Sequence, residues 1–292
     1  HTRSLHQNLI TTHTKHRTNI FRKSIMSESV IVAIILGALQ GLFEWLPISS
    51  EGNITVILAA LGRKPGDAVT LALFLHLGTA VSATAYYRTT IYELIDAGIT
   101  QLRGGKSDAP LVFYLIATGV SGVVGIGSYA ILQEIVSALT GGAVVIAIGA
   151  LLIIMGGFQR VSAGGEVIAS PDPSIIDAIL VGAAQGIAIH PGITRSGMTT
   201  GTLLLRGYDG SDAFRLSFVL SIPAAIGGGV LAAVDSGLQG LTPTAAIAAF
   251  ITAAIVGYLS IDVLLRIVER VAFWAVCIGL GTAAIVGGVL VI

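Results

Sequence analysis

The chain has 292 residues, of which 54% are hydrophobic and only 11% are charged, and its mean hydropathy is +0.88. An average soluble domain has about 25% charged residues, and a soluble fold this apolar would expose large hydrophobic patches to water. The composition therefore excludes ordinary soluble enzymes and disordered chains. A net charge of zero offers no basic surface for nucleic acid, and a single cysteine excludes a disulfide framework. An integral membrane protein remains.

The amino-terminal residues differ in composition from the rest of the chain. The first 25 residues hold four of the six histidines and five of the sixteen lysines and arginines. They lack the apolar run of a signal peptide, and Met26, the first methionine, lies four residues before the first apolar segment. We interpret residues 1–27 as a disordered or non-native tail; a basic arm on the membrane surface is the alternative.

Apolar segments alternate with short polar breaks from residue 30 onward. Six segments are long enough to span about 30 Å of hydrocarbon, namely 67–88, 110–132, 140–160, 211–233, 244–266 and 271–292. Four segments are shorter and form two pairs around a proline break, namely 30–46 with 50–61 and 175–190 with 196–206. Short apolar segments of this kind are typical of re-entrant hairpins.

The order of short and long segments indicates an internal repeat. The residues Gly37-Ala38-x-Gln40-Gly41 recur as Gly182-Ala183-x-Gln185-Gly186, 145 residues later, and Asp67-Ala68 recurs as Asp212-Ala213 at the same spacing. We therefore predict two repeats, 28–160 and 174–292, in one membrane domain. Three spans in each half require the second half to enter the bilayer from the opposite side.

The predicted fold is an all-α integral membrane protein with an inverted-topology repeat, six transmembrane helices and two re-entrant helical hairpins. Non-helical backbone at membrane depth requires a cavity lined by protein. Lysines and arginines are concentrated in the predicted loops 88–109, 160–174, 206–211 and 266–271, whereas the opposite side has Arg63 and Lys64. The positive-inside rule places these four loops in the cytoplasm.

The first hairpin has polar residues on both sides of its break at Pro47. Gln40 and Glu44 are four residues apart and share a helix face, and a carboxylate at membrane depth indicates a functional site. Ser49, Ser50 and Glu51 come at the start of the next short helix. The positive end of a helix dipole and its free N–H groups bind anions.

The second hairpin repeats this design after the break at Pro191 and Gly192. Thr194, Arg195 and Ser196 precede Gly197 at the start of another short helix. The guanidinium fork of Arg195 suits phosphate oxygens. Two helix starts, one arginine and several hydroxyls predict a site for phosphate or diphosphate, with Glu44 as a base for a serine or a water molecule.

Each of these residues also has a purely structural interpretation. Ser49, Ser50 and Thr194 are good helix caps, and Arg195 could form a structural ion pair with Glu44. His76 lies inside a predicted span, and we interpret it as a hydrogen-bonded packing residue rather than a metal ligand. Gly41 and Gly186 are expected to serve close helix packing. The joint pattern still favours a site over any single structural role.

The two blocks resemble the motifs of the undecaprenyl-diphosphatase family, the bacitracin-resistance type of membrane phosphatase. Residues Gln40 to Asn53 are similar to the family block (E/Q)xxxE-x-x-PxSSxGH, and Pro191 to Thr199 are similar to PGxSRSGxT. The stretches around Leu75–Thr79 and Ser217–Pro223 are also similar, so the resemblance covers about residues 28–292.

The resemblance implies an enzyme that hydrolyses a polyprenyl diphosphate to the monophosphate and inorganic phosphate, which recycles the lipid carrier of cell-envelope glycan synthesis. It implies a multi-pass protein of the plasma membrane, with its site open to the outer face, and partners that include the lipid substrate and the bilayer but no nucleic acid. A homodimer is a further expectation. A divalent cation, Mg²⁺ or Ca²⁺, is a family trait; no organic cofactor is expected.

Carried over residue by residue, the resemblance assigns roles in two groups. The catalytic positions are Glu44 as the essential acid, Ser49 and Ser50 as the paired serines, of which Ser50 is the nucleophile candidate, and Arg195 as the diphosphate ligand. The substrate-binding positions are Gln40, Glu51, Asn53, Thr194, Ser196 and Gly197. Glu44 or Glu51 is the candidate metal ligand.

Two positions depart from the family pattern. Asn53 stands where the family has a histidine, which removes a titratable group, and Glu51 stands where a small residue is usual. One hypothesis is that Glu51 takes over the acid–base or metal-binding role; another is a slow enzyme or a different lipid. The competing functions are an inverted-repeat transporter or flippase of a polyprenyl phosphate or another anion, and an inactive relative that acts as a membrane partner.

Overall fold

A computed structural model describes residues 30–106, 108–164, 172–235, 241–268 and 270–291. Throughout these residues the ordered elements are helices. Their bounds are α1 Val30–Phe43, α2 Ser50–Ala60, α3 Pro65–Tyr86, α4 Arg88–Leu102, α5 Ala109–Ala138, α6 Gly141–Ser162, α7 Ile175–Ile187, α8 Arg195–Leu205, α9 Gly210–Asp235, α10 Pro243–Val268 and α11 Phe273–Val291. The predicted tail, 1–27, lies outside the described residues.

Six of the described helices, α3, α5, α6, α9, α10 and α11, are long and apolar enough to cross a membrane. They coincide with the six predicted spans, so the prediction of an all-helical membrane protein is confirmed. The shorter helices α1, α2, α7 and α8 have 14, 11, 13 and 11 residues. They form two helical hairpins at the predicted positions.

The loop predicted at 88–109 is wrong over most of its length, because α4 occupies Arg88–Leu102. None of the residues in α4 is buried, and large apolar side chains such as Tyr92, Ile95 and Leu102 are 69%, 53% and 90% exposed. Ile91, Ile95, Ile99 and Leu102 recur at spacings of three and four residues, which is the pattern of an amphipathic helix. The three charged residues within this helix do not interrupt that pattern.

The helix starts repeat along the chain. Helices α1, α2 and α3 begin at Val30, Ser50 and Pro65, and α7, α8 and α9 begin 145 residues later, at Ile175, Arg195 and Gly210. The first helix of each half packs on a long helix of the other half, since α1 packs on α10 and α7 packs on α5. The equivalent helices α3 and α9 pack on each other, as do α6 and α11. Entry of the two halves from opposite sides of the bilayer stays a prediction.

Glycines allow the short helices to lie directly against the long ones. A methyl group on Gly37 or Gly41 of α1 would come within 2.3 Å of the Ala249 carbonyl oxygen or 2.7 Å of the Gly257 nitrogen of α10. Gly186 of α7 has the same relation to α5, where a methyl group would come within 2.8 Å of a backbone nitrogen. The expected packing role of Gly41 and Gly186 is therefore confirmed, and it brings both hairpins to the centre of the protein.

Candidate active site

The break between α1 and α2 is stabilised by Ser49, the helix cap of α2. Ser49 has φ +59°, and among the described residues it is the only residue other than glycine with a positive φ. Its hydroxyl oxygen accepts hydrogen bonds from the Gly52 nitrogen at 3.2 Å and from the Gly192 nitrogen at 3.0 Å. The second bond crosses to the other hairpin, so Ser49 joins the two breaks.

The break between α7 and α8 has the equivalent cap, Thr194, which accepts a hydrogen bond from the Gly197 nitrogen at 3.1 Å. Gly192 adopts φ +100°, and a methyl group on Gly52 would come within 2.7 Å of the Gly192 nitrogen. Glycine is required here because the backbones of the two hairpins touch. This contact places the starts of α2 and α8 side by side, and Ser50 and Arg195 are the first residues of these helices.

Glu44 is the centre of a buried polar cluster. Its Oε1 pairs with Nη2 of Arg195 from the opposite hairpin. Its Oε2 accepts hydrogen bonds from Nε2 of Gln40 at 2.8 Å and from the Ser50 hydroxyl at 3.0 Å. The predicted convergence of the two breaks is therefore present, and Arg195 does pair with Glu44, as the structural interpretation expects.

Glu51 is buried beside the same serines. Its Oε2 lies 3.5 Å from the Ser49 hydroxyl and 3.4 Å from the Ser50 hydroxyl. Ser50 therefore faces both carboxylates, with the shorter bond to Glu44. A hydroxyl that donates to a buried carboxylate is arranged to lose its proton to that carboxylate.

His76 is the residue that sequence reasoning missed in this site. Its Nδ1 lies 2.9 Å from the Ala72 carbonyl oxygen. Its Nε2 lies 3.0 Å from Oε2 of Glu44 and 2.9 Å from Oε1 of Glu51, although neither contact has the alignment of a regular hydrogen bond. The available signal was a histidine inside a predicted span, since ionisable residues at membrane depth are rare without a role.

Three other predicted residues, Asn53, Ser196 and Gly197, have their nearest contacts outside the group around Glu44. The Asn53 amide donates to the carbonyl oxygens of Ile48 and Ser49 at 2.7 and 2.9 Å, so it stabilises its own turn. The Ser196 hydroxyl lies 3.2 Å from that of Thr194 and 3.5 Å from the Leu46 carbonyl oxygen. A methyl group on Gly197 would come within 2.9 Å of Nε2 of Gln159. Their part in substrate binding stays a prediction.

Arg195 has unused hydrogen-bond capacity. It is 9% exposed, and its Nε and Nη1 have no partner in the described residues. Buried donors without a partner are costly and indicate a ligand. Since Nη2 is held by Glu44, the remaining donors are fixed in direction and suit the oxygens of an anion.

Arg195, Glu51 and His76 form the polar end of a cavity of about 470 Å³. The rest of its wall is mainly apolar and comes from α5, the end of α7 and α9, with Ile126, Gly228 and Val234 among its residues. By contrast, the space enclosed directly by Glu44, Ser50 and Ser196 is only about 10 Å³, roughly the room for one water molecule. Room for a larger ligand is therefore on the side of the apolar cavity.

The cluster does not have the arrangement of a metal site. Within the part of the chain that the structure describes, no group of three or more histidine, cysteine or acidic residues is arranged to hold a metal ion. Glu44 and Glu51, the candidate ligands, are instead bridged by the His76 imidazole. The residues present therefore do not fit a cation held by the protein alone.

Comparison with known proteins agrees with this geometry. The sequence profile of the family described as bacitracin resistance protein BacA matches residues 33–283. An undecaprenyl-diphosphatase from Haloarcula marismortui is 46% identical over 266 residues, which are 90% of this chain and 98% of the relative.

Proteins with the same name from Methanococcoides burtonii and Moorella thermoacetica are 37% and 33% identical, over 88% and 83% of this chain and 97% and 90% of the relatives. The residues that match the family profile, 33–283, contain α2 to α10, most of α1 and α11, and the polar cluster around Glu44. The chain belongs to the bacitracin resistance protein BacA family.

Proposed function

We propose that this protein hydrolyses a polyprenyl diphosphate of the undecaprenyl type to the monophosphate and inorganic phosphate, and so recycles a lipid carrier of cell-envelope glycan synthesis. The relatives are named for this activity. The observation that supports it most strongly is the pair of buried, unpartnered Arg195 donors beside Glu44 and Ser50, at the polar end of an apolar cavity.

In the proposed mechanism, Nε and Nη1 of Arg195 bind oxygens of the diphosphate, and the starts of α2 and α8 add the positive ends of two helix dipoles. Ser50 or a water molecule attacks the terminal phosphorus, and Glu44 takes the proton of the attacking hydroxyl. The bond from that phosphorus to the bridging oxygen breaks, and the lipid monophosphate leaves. If Ser50 attacks, water then hydrolyses the phosphoserine.

The isoprenoid chain belongs in the apolar cavity. The cavity begins at Arg195 and continues between α5 and α9, where glycines such as Gly122, Gly125 and Gly228 keep the walls open. Burial of each CH₂ group of a chain contributes about 0.8 kcal/mol. The diphosphate head and the isoprenoid tail of one substrate thus have adjacent binding sites.

The divalent cation implied by the family belongs, in our proposal, to the substrate. Mg²⁺ and Ca²⁺ bind phosphate oxygens readily, whereas the described residues offer no cage for them. Glu44 and Glu51 are therefore assigned to proton transfer and charge balance.

We further propose that the protein lies in the plasma membrane with the site open to the outer face. Support comes from the positively charged residues, which are concentrated on the predicted cytoplasmic side. A homodimer stays a prediction. A flippase or transporter is not favoured, because the relatives carry the name of an enzyme and Ser50 donates to a buried carboxylate.

A phosphate-release assay on the purified protein, with farnesyl (C15) and C55 polyprenyl diphosphates, tests the function. We expect phosphate release by the wild type and a loss of about 10²–10³-fold in kcat/KM for Arg195→Ala and for Glu44→Ala, because each removes a group that acts on the transition state. Arg215→Ala is the matched control, since Arg215 is exposed and pairs with Asp212 three residues away. Lipid flipping without phosphate release would contradict the proposal.

A further inference from the structure

Glu51 and His76 form a charged pair at the edge of the substrate cavity. Both line that cavity together with Arg195, and Nε2 of His76 lies 2.9 Å from Oε1 of Glu51. The positions 145 residues later in the second half are Ser196 and Ser221, which carry no charge. The pair is therefore a feature of the first hairpin and α3 alone.

The neighbours of His76 indicate that both of its ring nitrogens carry hydrogen. The partner of Nδ1 is the Ala72 carbonyl oxygen, which can only accept. The neighbours of Nε2 are carboxylate oxygens of Glu44 and Glu51, and a bare ring nitrogen would place its lone pair against theirs. We infer from these neighbouring acceptor oxygens that His76 is an imidazolium.

Two buried carboxylates would otherwise oppose an anionic substrate. Glu44 has Arg195 as its counter-ion, but Glu51 pairs with no lysine or arginine among the described residues, and His76 is its cationic neighbour. At distances near 3 Å and away from bulk water, like charges repel strongly. A second carboxylate can therefore face a diphosphate only if a nearby cation balances it.

We propose that His76 is a positioning residue that balances Glu51, so that a diphosphate can bind beside a carboxylate at position 51. This inference rests on the proposed function. His76 acts on the substrate through Glu51 and through the charge of the pair.

A double-mutant cycle tests the pair. His76→Gln, Glu51→Gln and the double variant are compared with wild type for kcat and KM on farnesyl diphosphate, and for the Kd of its non-hydrolysable methylene-bridged analogue. We expect His76→Gln to raise KM and Kd about tenfold, because Glu51 is left unbalanced, with a smaller change in kcat. The double variant should return close to Glu51→Gln, since coupled neighbours are non-additive.

Two further variants separate this role from a structural one. His190→Gln makes the same chemical change at the tip of the second hairpin, where the His190 ring bonds to the Ile187 carbonyl oxygen, and it should leave KM and Kd unchanged. His76→Lys keeps a cation and should retain more affinity than His76→Gln. Thermal unfolding in detergent checks that every variant is folded. If His76→Gln does not fold, His76→Lys still tests the role of the charge.

Additive effects of His76→Gln and Glu51→Gln on Kd, or equal affinity of the Gln and Lys variants, would overturn the inference. Both outcomes differ from failure of the proposed function, which is absence of phosphate release by the wild-type protein. The analogue measurements test the charged pair even in that case, because they require binding without hydrolysis.

Discussion

At the scale of single residues, neighbours with similar chemistry have different tasks. Ser49 holds a left-handed backbone conformation and accepts hydrogen bonds from Gly52 and Gly192, so its hydroxyl joins the two hairpins. The Ser50 hydroxyl donates to Glu44 at 3.0 Å, which is the geometry of a group about to lose a proton. The motif contains both serines, and only the backbone conformation distinguishes them.

Substitution of Ser49 should therefore mainly reduce stability, whereas substitution of Ser50 should mainly reduce activity. Ser49→Ala is expected to lower the free energy of unfolding by about 2 kcal/mol, because it removes a helix cap and leaves the buried Gly192 nitrogen without an acceptor. Ser49→Gly should lose less, since glycine relieves the left-handed conformation. Ser50→Ala should keep wild-type stability and lose phosphate release. Thermal unfolding and phosphate release measure the two effects; equal unfolding of Ser49→Ala and wild type contradicts the assignment.

At the scale of elements, the start and the end of the second hairpin are joined by an ionic clasp around Asp177. Asp177, in the first turn of α7, accepts hydrogen bonds from the Ser174 hydroxyl at 2.6 Å, from Nε of Arg206 at 2.5 Å and from the Tyr208 hydroxyl at 2.9 Å. These bonds connect the start of α7 to the end of α8. The positions equivalent to Asp177 and Arg206 in the first half are occupied by the apolar residues Val32 and Leu61.

The clasp predicts a pH dependence of stability. Burial raises the pKa of Asp177, but hydrogen bonds from Ser174, Arg206 and Tyr208 outweigh it and hold the pKa below its ordinary value. A lowered folded-state pKa contributes stability that is present above the unfolded value and is lost as the pH falls through the folded value. Thermal unfolding of the wild type should therefore weaken in acid, below about pH 4.

Asp177→Asn should remove most of this acid-sensitive contribution, which at neutral pH is about 1–3 kcal/mol for hydrogen bonds to a charged group. The matched control is Asp212→Asn, because Asp212 is exposed and pairs with Arg215 only one helical turn away, where an ion pair contributes little. An unchanged pH profile of unfolding in Asp177→Asn would show that the clasp does not stabilise the hairpin.

At the scale of the whole molecule, the cavity lies between the two halves and connects the polar cluster to the lipid-facing helices. α5 and α9 come from different repeats, and both contribute to its wall. A methyl group on Gly228 would meet no atom within 4 Å, so a side chain added there has open space at its first carbon and lies at the wall of the proposed tail site.

Gly228→Leu should therefore discriminate between substrates by length. We expect KM for a C55 diphosphate to rise about tenfold, since part of the apolar contact is blocked, while a C5 or C10 diphosphate is hydrolysed as by the wild type. Gly279→Leu is the control, because Gly279 also has open space around it and does not line the cavity. An equal rise in KM for short and long substrates would contradict the placement of the isoprenoid tail in this cavity.

Local patterns in the sequence were enough to locate the spans and the two breaks, and they predicted Glu44, Ser50 and Arg195 as site residues. Hydrophobic length, a proline break and a costly charge at membrane depth are local properties, so they can be read along the chain. The 145-residue spacing of the motifs likewise anticipated the spacing of the helix starts. The amphipathic period of α4 was equally local and was overlooked in favour of a loop.

Which side chains meet depends on the tertiary structure. Ser49 contacts Gly192, His76 reaches two carboxylates from a long helix, and Asn53 turns its amide to its own backbone although it occupies a motif position. These outcomes depend on how close α1 and α7 pack to their partner helices and on which way each side chain then points. Contacts between residues far apart in the chain are set by packing, which no local pattern encodes.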